Sequence, residues 1–526
     1  MYSKKDRVDI LDYATREALP RLKAYFGKVR TGSSVDISTN FYADKSTTEI
    51  LNNWDSHLKK IEKEWPGLYA FEKDLGAKVG PMSIMKPLSE RLDDIELYYS
   101  SITKKSTPID QDALEQSAEW FGADGKLTVR NALETYNLMK KSTNSGLPYF
   151  TKRRAVGKRA LPLYVNKDHV IDRAGNNVKP AAILGWRGQE GGPKPEDVKQ
   201  RVIWMFPMTV NISELQVYQP LIEECQRRLT VPAWVSMEMV DYNITKMFDT
   251  KGKDDLVICT DFSKFDQHFN RDMQNGAYYI LERMFDNSIK DWLYNVFPIK
   301  YSIPMMYDFG LIREGWHGMA SGSGGTNADE TLVHRALQYE AAGRHGAELN
   351  EYSQCLGDDG CLTYPGITVE DVVESYSSHG QEMNLSKQYV STDDCIYLRR
   401  YHHKDYRVND ICVGIYSTNR ALGRLKKMER YYDDWSATDV AMRQISILQN
   451  VEYHPLREEF ARYCMKGDKY RLGIDIPGFL DNIESIAKAA IDRMPDFLGY
   501  TKSLGTQDPA AGIGNWWIVQ FLKSQR

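Results

Sequence analysis

Two short acidic motifs, each set against an apolar run and lying 97 residues apart, constrain this chain more than any other feature. Gly357-Asp358-Asp359-Gly360 stands between the mixed apolar runs Tyr352 to Leu356 and Cys361 to Tyr364, a pattern for two strands joined by a turn that presents adjacent carboxylates. Glycine permits the positive φ that a tight hairpin needs, and aspartate tolerates such turns better than most residues. In isolation the tetrapeptide also fits a plain solvated turn. The second motif, Asp261-Phe-Ser-Lys-Phe-Asp266, directly follows Leu256-Val257-Ile258-Cys259-Thr260, a run suited to a buried strand. Asp261 therefore falls at a strand's end. If this strand and the hairpin share one antiparallel sheet, Asp261 and Asp358 face each other across a gap that fits two divalent cations, about 3.5–4 Å apart in two-metal sites. Mg²⁺ suits such oxygen ligands because it is hard and keeps part of its water shell, and Mn²⁺ can take the same ligands. Asp261 equally suits capping of the following helix, and the two readings are compatible.

Between the motifs lies Ser321-Gly322-Ser323-Gly324-Gly325-Thr326-Asn327, followed by a helical stretch from Ala328 to Tyr339. Small residues let the backbone approach a ligand closely, and a loop feeding a helix N-terminus offers N–H groups to phosphate or ribose oxygens. Gly/Ser-rich stretches are also common linkers. No Gly-x4-Gly-Lys-Ser/Thr occurs, so this is not a Walker loop.

In the order Asp-x4-Asp, Ser-Gly-x3-Thr, Gly-Asp-Asp, each beside a strand or helix of the right type, the chain resembles the viral RNA-dependent RNA polymerases. Ser145-Gly146-Leu147-Pro148 looks like their template-entry motif, and Arg201-Val202-Ile203-Trp204 with Pro207 like their basic nucleotide-entry motif. Lys387 sits where the family's proton-donating lysine lies, and Ile396 to Tyr401 resembles the primer-grip hairpin. The resemblance runs from about residue 142 to 402, and its wording is most like the double-stranded RNA viruses of the picobirnavirus and partitivirus branch.

The resemblance implies an α+β right-hand polymerase with an antiparallel palm sheet flanked by helices and a largely helical thumb. It implies a bridging N-terminal segment at 1–60, fingers at 61–255 and 284–318, palm at 256–283 and 319–402, and thumb with C-terminal tail at 403–526. Expected activity is template-directed addition of ribonucleotides to a 3′-OH, replicating and transcribing a double-stranded RNA genome in the virion interior and host cytoplasm. Template and product RNA and ribonucleoside triphosphates are the expected partners, with viral capsid protein a further one. Asp261, Asp358 and Asp359 would hold the metals, and Lys387 would protonate pyrophosphate. Arg201, with Lys199 and Lys194, would clamp the triphosphate; Asp266, Ser321, Gly322, Thr326 and Asn327 would bind the nucleotide; Ser145, Gly146, Arg399 and Arg400 would meet RNA. One position departs from the pattern. Four residues after Thr326, where many relatives carry an asparagine that helps read the ribose 2′-OH with the second aspartate of the first motif, this chain has Glu330. Asn327 or Glu330 could partner Asp266, and the sequence leaves that open. The alternatives are a reverse transcriptase, a structural RNA-binding protein of the virion, or a two-metal nuclease.

Composition fits a large enzyme: 526 residues allow several substantial cores. No run of 18 apolar residues appears, and the charged start lacks the hydrophobic core of a secretory signal. Seven cysteines, at 225, 259, 355, 361, 395, 412 and 464, form no Cys-x2-Cys pair and read as free thiols, with Cys355, Cys361 and Cys395 as packing residues near the proposed site. The net charge is only -4, yet residues 151 to 201 hold 12 Lys or Arg against 5 acids. That separation suits a basic channel for phosphates within an acidic shell. Gly188 to Lys194 reads as a mobile loop. A helix is expected over Asp9 to Phe26 with a break at Pro20. Ser436 and Asp439 form a capping-box pattern, and Ile483, Ala487, Ala490 and Met494 make an apolar stripe. The tail Asn515 to Leu522 reads as a strand-like piece that must dock, either on the thumb core or in the catalytic cavity.

Overall fold

The computed structural model describes residues 4–431, 435–491, 510 and 512–526. The chain divides into two compact units: Met1–Gly32, Pro87–Trp186 and Val202–Tyr397 form the first, and Ser33–Lys86, Arg187–Arg201 and Leu398–Arg526 the second.

A four-stranded antiparallel sheet lies in the first unit, in the order Gln354–Leu356, Asp359–Leu362, Val257–Thr260, Tyr389–Ser391. All four residues of Val257–Thr260 are buried, as the unbroken β-branched and apolar run requires of an inner strand covered on both faces. Beside the sheet runs the helix Thr326–Arg344, which also packs on the helices Gln111–Phe121, Arg271–Met284 and Val369–Ser377. Its buried residues include Leu332, Val333, Ala336 and Leu337 but also Asp329, Glu330, His334 and Arg335. A helix enclosed this fully is an interior element, and its polar residues have to find partners there. Ile258, Phe262, Met273, Leu281, Leu332, Leu337 and Tyr376 belong to one core cluster, each large apolar side chain contributing about 1.5–3 kcal/mol on burial.

A second core of this unit gathers Leu22, Phe26, Ile183, Trp204, Met305 and Ile312. It is built on the five-stranded sheet Lys4–Arg7, Leu311–Glu314, Met305–Asp308, Ala182–Gln189, Lys199–Met205, in which Met305–Asp308 pairs antiparallel with Leu311–Glu314 and parallel with Ala182–Gln189. Pro20 does not break a helix here. Two 3₁₀ turns, Ile10–Asp12 and Arg16–Ala18, lead into the helix Leu19–Thr31, and Pro20 sits in its first turn, where no N–H is missed.

The second unit is mainly helical, and one buried carboxylate organises it. Glu72, on the helix Pro66–Lys78, accepts hydrogen bonds from the Ser417 and Thr418 hydroxyls, from the N–H groups of Thr418 (3.0 Å) and Asn419 (3.3 Å), and from His454 Nε2 (3.1 Å). It thereby caps the helix Thr418–Lys426, a site where negative charge is favoured. Trp54 Nε1 donates to Thr418 Oγ1 at 2.8 Å, tying in the helix Thr47–Leu58. The capping box at Ser436 and Asp439 starts the helix Ala437–Gln449 as expected. Ile483, Ala487 and Ala490 are buried along Ile483–Ile491, while Met494 lies outside the described residues.

Two expectations change in this unit. The C-terminal piece is a helix, Trp517–Ser524, because Ile518, Val519, Phe521 and Leu522 fall on one side at helical spacing and are all buried there. Residues 505–509 of the glycine-containing run before it lie outside the described residues. The segment Gly188 to Lys194 is packed, not free-standing: a Cβ on Gly188 would come within 2.0 Å of the Met82 carbonyl, and one on Gly80 within 1.7 Å of the Gly192 carbonyl. Its glycines serve close backbone approach. All seven cysteines are free and buried.

Candidate active site

The acidic motifs meet in the four-stranded sheet. Asp261 follows the last residue of Val257–Thr260, and Gln388, just before the neighbouring strand Tyr389–Ser391, clamps its backbone: the Asp261 N–H donates to Gln388 Oε1 at 2.7 Å, and Gln388 Nε2 donates to the Asp261 carbonyl at 2.9 Å. The Asp261 residue stays exposed while Gln388 is buried. The hairpin is as tight as its glycines allow. Leu356 pairs with Asp359, so the loop is only Gly357 and Asp358, and Asp359 opens the next strand. Gly357 has φ 58°, in the left-handed region open to glycine at no cost. Carrying the register Gly360↔Thr260 one step further sets Asp359 opposite Asp261.

The helix Thr326–Arg344 fixes this turn from both of its polar atoms. Gly357 N–H donates to Thr331 Oγ1 at 2.9 Å, and His334 Nδ1 donates to the Gly357 carbonyl at 2.8 Å. Burial pushes the His334 pKa down to about 4, so the ring is neutral when it makes this bond. Gln388, Thr331 and His334 escaped the sequence reading. Their partners are backbone atoms far along the chain, and the only available signal was the polar spacing of Thr331 and His334, one turn apart on a helix already marked as important.

The glycine-rich loop is held in detail but offers less than expected. N–H groups of Ser323, Gly324, Gly325 and Thr326 are all engaged within the protein, by the Ala320 carbonyl, the Glu214 carboxylate, the Ser323 hydroxyl and the Ser323 carbonyl. These four N–H groups, three in the loop and one at the helix start, are therefore occupied. What the loop presents instead is Ser321, whose hydroxyl donates to Asp266 Oδ2. Gly322, at φ 133°, passes so near strand Lys199–Met205 that a Cβ would stand 1.7 Å from the Trp204 carbonyl. The Thr326 hydroxyl turns back to the Ala320 and Ser323 carbonyls.

Of the two residues left open as partners of Asp266, Asn327 accepts at Oδ1 from Trp234 Nε1 at 2.8 Å. Glu330 is buried, and among the described residues its Oε1 has no hydrogen-bond partner. Burial, and then the charges of Asp266, Asp358 and Asp329 with a hydrogen bond to Asp266, push its pKa well above the ordinary glutamate range. Glu330 thus feels the charges of both acidic motifs.

Lys387 is exposed at the end of the 3₁₀ turn Leu385–Lys387, next to Gln388. Ser145 is fully buried; its hydroxyl accepts from Thr151 N–H at 3.1 Å and its carbonyl from Met208 N–H at 2.8 Å. Gly146, at φ 60°, backs onto Phe206, so this turn can meet a ligand only through the surfaces it shapes. In the second unit Lys194, Lys199 and Arg201 are exposed, and Arg201 Nε donates to Gln189 Oε1 at 2.9 Å. Arg400 turns inward, with Nη2 on the Gly414 carbonyl at 2.8 Å, while Arg399 forms the preceding turn.

Among the described residues no group of three or more His, Cys, Asp or Glu is gathered tightly enough to hold a metal ion unaided. The donors at the strand ends are carboxylates alone, which fits a hard divalent cation that completes its shell with water and substrate phosphate oxygens. Cys259 and Cys361 face each other in register and are buried, in keeping with a packing role.

Comparison with known proteins agrees with this geometry. The family described as "Viral RNA-dependent RNA polymerase" matches residues 89–412. The chain is 58% identical over 519 residues to a "Potential RNA-dependent RNA polymerase" of human picobirnavirus (strain Human/Thailand/Hy005102/-), covering 96% of this chain and 97% of that one. It is 26% identical over 298 residues to the "RNA-directed RNA polymerase" of Cryptosporidium parvum virus 1, about half of each chain. The crystal structure of the RNA-dependent RNA polymerase of a human picobirnavirus superposes with a TM-score of 0.94 at 55% identity, covering 99% of this chain and all of that one. None of these relatives supports the reverse-transcriptase, structural or nuclease alternatives. With its acidic strand ends, its clamped hairpin and its full-length relatives, the chain belongs to the viral RNA-dependent RNA polymerases, enzymes that build RNA from ribonucleotides on an RNA template.

Proposed function

We propose that nucleotidyl transfer takes place at the paired strand ends, with Asp261 and Asp358 as metal ligands and Asp359 assisting. The observation that carries this is the register that sets Asp359 against Asp261 beside a two-residue turn. Two divalent cations, Mg²⁺ by preference and Mn²⁺ in its place, would there activate the 3′-OH and neutralise the charge of the triphosphate and departing pyrophosphate. Gln388, Thr331 and His334 keep the carboxylates in place by holding the backbone that carries them. Lys387 protonates the leaving pyrophosphate. Arg201, seconded by Lys199 and Lys194, takes triphosphate oxygens with its planar fork. Ser321 orients Asp266, and Asp266 with Glu330 receives the ribose 2′-OH. Sequence is read by base pairing with the template.

In this reading 256–283 and 319–402 are the palm, 61–255 and 284–318 the fingers, 403–526 the thumb, and 1–60 the bridging segment. Template and product RNA follow the surfaces near Gly146 and Arg399. Replication and transcription of a double-stranded RNA genome take place in the virion interior and the host cytoplasm, with capsid protein as a further partner. Among the described residues no helix is long and apolar enough to cross a membrane.

The test is incubation of purified protein with single-stranded RNA, four ribonucleoside triphosphates and Mg²⁺. A nuclease-resistant duplex is expected from the wild type and none from Asp358→Ala with RNA binding retained. Synthesis by a folded Asp358→Ala would sink the assignment.

A further inference from the structure

Within the first unit the glycine-rich loop is gripped from behind by the helix Met208–Arg228. Asn211 and Glu214, one turn apart on that helix, are both buried. The two oxygens of Glu214 divide the loop between them: Oε1 accepts from the Gly324 N–H at 3.0 Å, and Oε2 accepts from the Ser323 hydroxyl. Ser323 Oγ in turn accepts from the Gly325 N–H at 3.0 Å, which leaves its own proton to the carboxylate. Asn211 Nδ2 bridges Glu214 Oε1 at 3.0 Å and the Gly322 carbonyl at 3.3 Å. Three successive residues, 322 to 324, are thus held through their polar atoms by one pair of side chains.

The pair is itself oriented from the far side. Arg153 Nη2 donates to Asn211 Oδ1 at 2.8 Å, while Arg153 Nη1 and its backbone N–H reach the Lys140 and Thr143 carbonyls at 3.0 and 2.9 Å. A guanidinium only donates and a carbonyl only accepts, so one orientation of the Asn211 amide satisfies both of its ends. On the other side of the loop, the Trp204 N–H donates to the Ser321 carbonyl at 2.7 Å. Ser321, whose hydroxyl meets Asp266, therefore stands between a strand and the grip of Asn211 and Glu214. Burial pushes the Glu214 carboxyl above its ordinary range, and Lys300, Ser323, Gly324 and Asn211 oppose this without offsetting it. As filler a buried carboxyl is costly, and an apolar side chain of like volume is often as stable. An apolar side chain, however, cannot fix a loop by its N–H and hydroxyl groups.

We propose that Glu214 is a positioning residue for nucleotide selection: by fixing the glycine-rich loop it sets the Ser321 hydroxyl against Asp266 and so sets the discrimination for ribose. The inference rests on the reading of Asp266 as a receiver of the ribose 2′-OH. Glu214 acts through the loop, and Asn211 and Arg153 act through Glu214 and the Gly322 carbonyl. A site built to pair with a hydroxyl rejects the analogue that lacks it because its own polar groups are then left unpaired. That rejection weakens once a slack loop lets Ser321 and Asp266 drift and find other partners.

Full-length protein copies a single-stranded RNA template with one nucleotide supplied in its ribo or its 2′-deoxy form, and kcat and KM are measured for each. Glu214→Ala should lower the preference for ribose about tenfold, mainly through a higher KM for the ribonucleotide, with kcat within about threefold of the wild type. Glu214→Gln keeps an acceptor for Gly324 and should restore the preference to within about threefold. A folded Glu214→Ala with the wild-type preference overturns the proposal, and so does a loss of kcat with the preference unchanged, which is the mark of a merely structural role. If Glu214→Ala melts below the assay temperature, Ser323→Ala decides: it removes only the hydroxyl facing Glu214, should lower the preference about threefold, and overturns the proposal if it does not. Asp266→Ala, measured alongside, separates the two levels. Should it keep the wild-type preference, the reading of Asp266 fails and the inference falls with it; should it lose the preference while Glu214→Ala keeps it, the inference alone fails.

Discussion

Glu72 and Glu330 are both buried glutamates on helices, one in each unit, and they are electrostatic opposites. Glu72 accepts from two hydroxyls, two backbone N–H groups and an imidazole. Burial alone would raise its pKa, but His454, Ser417 and Thr418 more than offset this and hold it below the usual range. Glu330 faces other carboxylates, leaves Oε1 without a partner, and is driven the other way. A buried charge that is fully satisfied fixes architecture. A buried carboxyl that neighbouring carboxylates and burial push toward its protonated form, with one oxygen unpartnered among the described residues, gives no such anchor.

That contrast can be broken at several points. Glu72→Ala should cost the second unit about 3–5 kcal/mol, since it strands a buried imidazole and several donors. Denaturant unfolding measures this, and a loss below about 1 kcal/mol would show Glu72 to be ordinary. Gln388→Ala frees the Asp261 backbone and should slow nucleotide addition by about a hundredfold in single-turnover kinetics, with the chain still folded. Glu330→Gln should lower the preference for ribo- over 2′-deoxyribonucleotides about tenfold while leaving the fold intact; an unchanged preference removes Glu330 from ribose selection. Gly357→Ala, forced into the left-handed region, should destabilise by about 1–2 kcal/mol.

The pH dependence sharpens the same comparison, with opposite signs. Glu72 is lowered in the folded chain, so its contribution is present above its unfolded pKa and is lost as pH falls through the lowered value. Glu330 is raised, so the folded chain keeps a proton that the unfolded chain releases, and stability declines as pH rises above the ordinary glutamate range. Unfolding profiles should therefore flatten on the acid side in Glu72→Gln and on the neutral side in Glu330→Gln. If both variants flatten the same side, the contrast fails.

What the sequence disclosed, and what it withheld, divides along the range of the interactions. The strand before Asp261, the hairpin, the helix after the glycine-rich loop and the capping box at Ser436 were all legible, because local pattern and turn chemistry decide them. The tail was misjudged because aromatic and β-branched residues favour strands by type, while burial at helical spacing won in the fold. The part that Glu214 takes in holding the glycine-rich loop gives no local signal, because it lies more than a hundred residues earlier. Glu72 gave no signal: a glutamate amid Ala70-Phe71-Glu72-Lys73-Asp74 looks like any solvated helix position. Gln388 carries no local signal, because both atoms it holds belong to a residue 127 positions earlier.

One helix carries both the glycine-rich loop, at its start, and the two side chains that grip Gly357, on its second and third turns. An α-helix turns about 100° and advances about 1.5 Å with each residue. Adding or removing a single residue between Thr326 and His334 would swing Thr331 or His334 off the hairpin while the loop stayed put. This stretch is therefore closed to insertions and deletions, a fixed gauge block whose length, more than its composition, calibrates the spacing between the glycine-rich loop and the acidic turn.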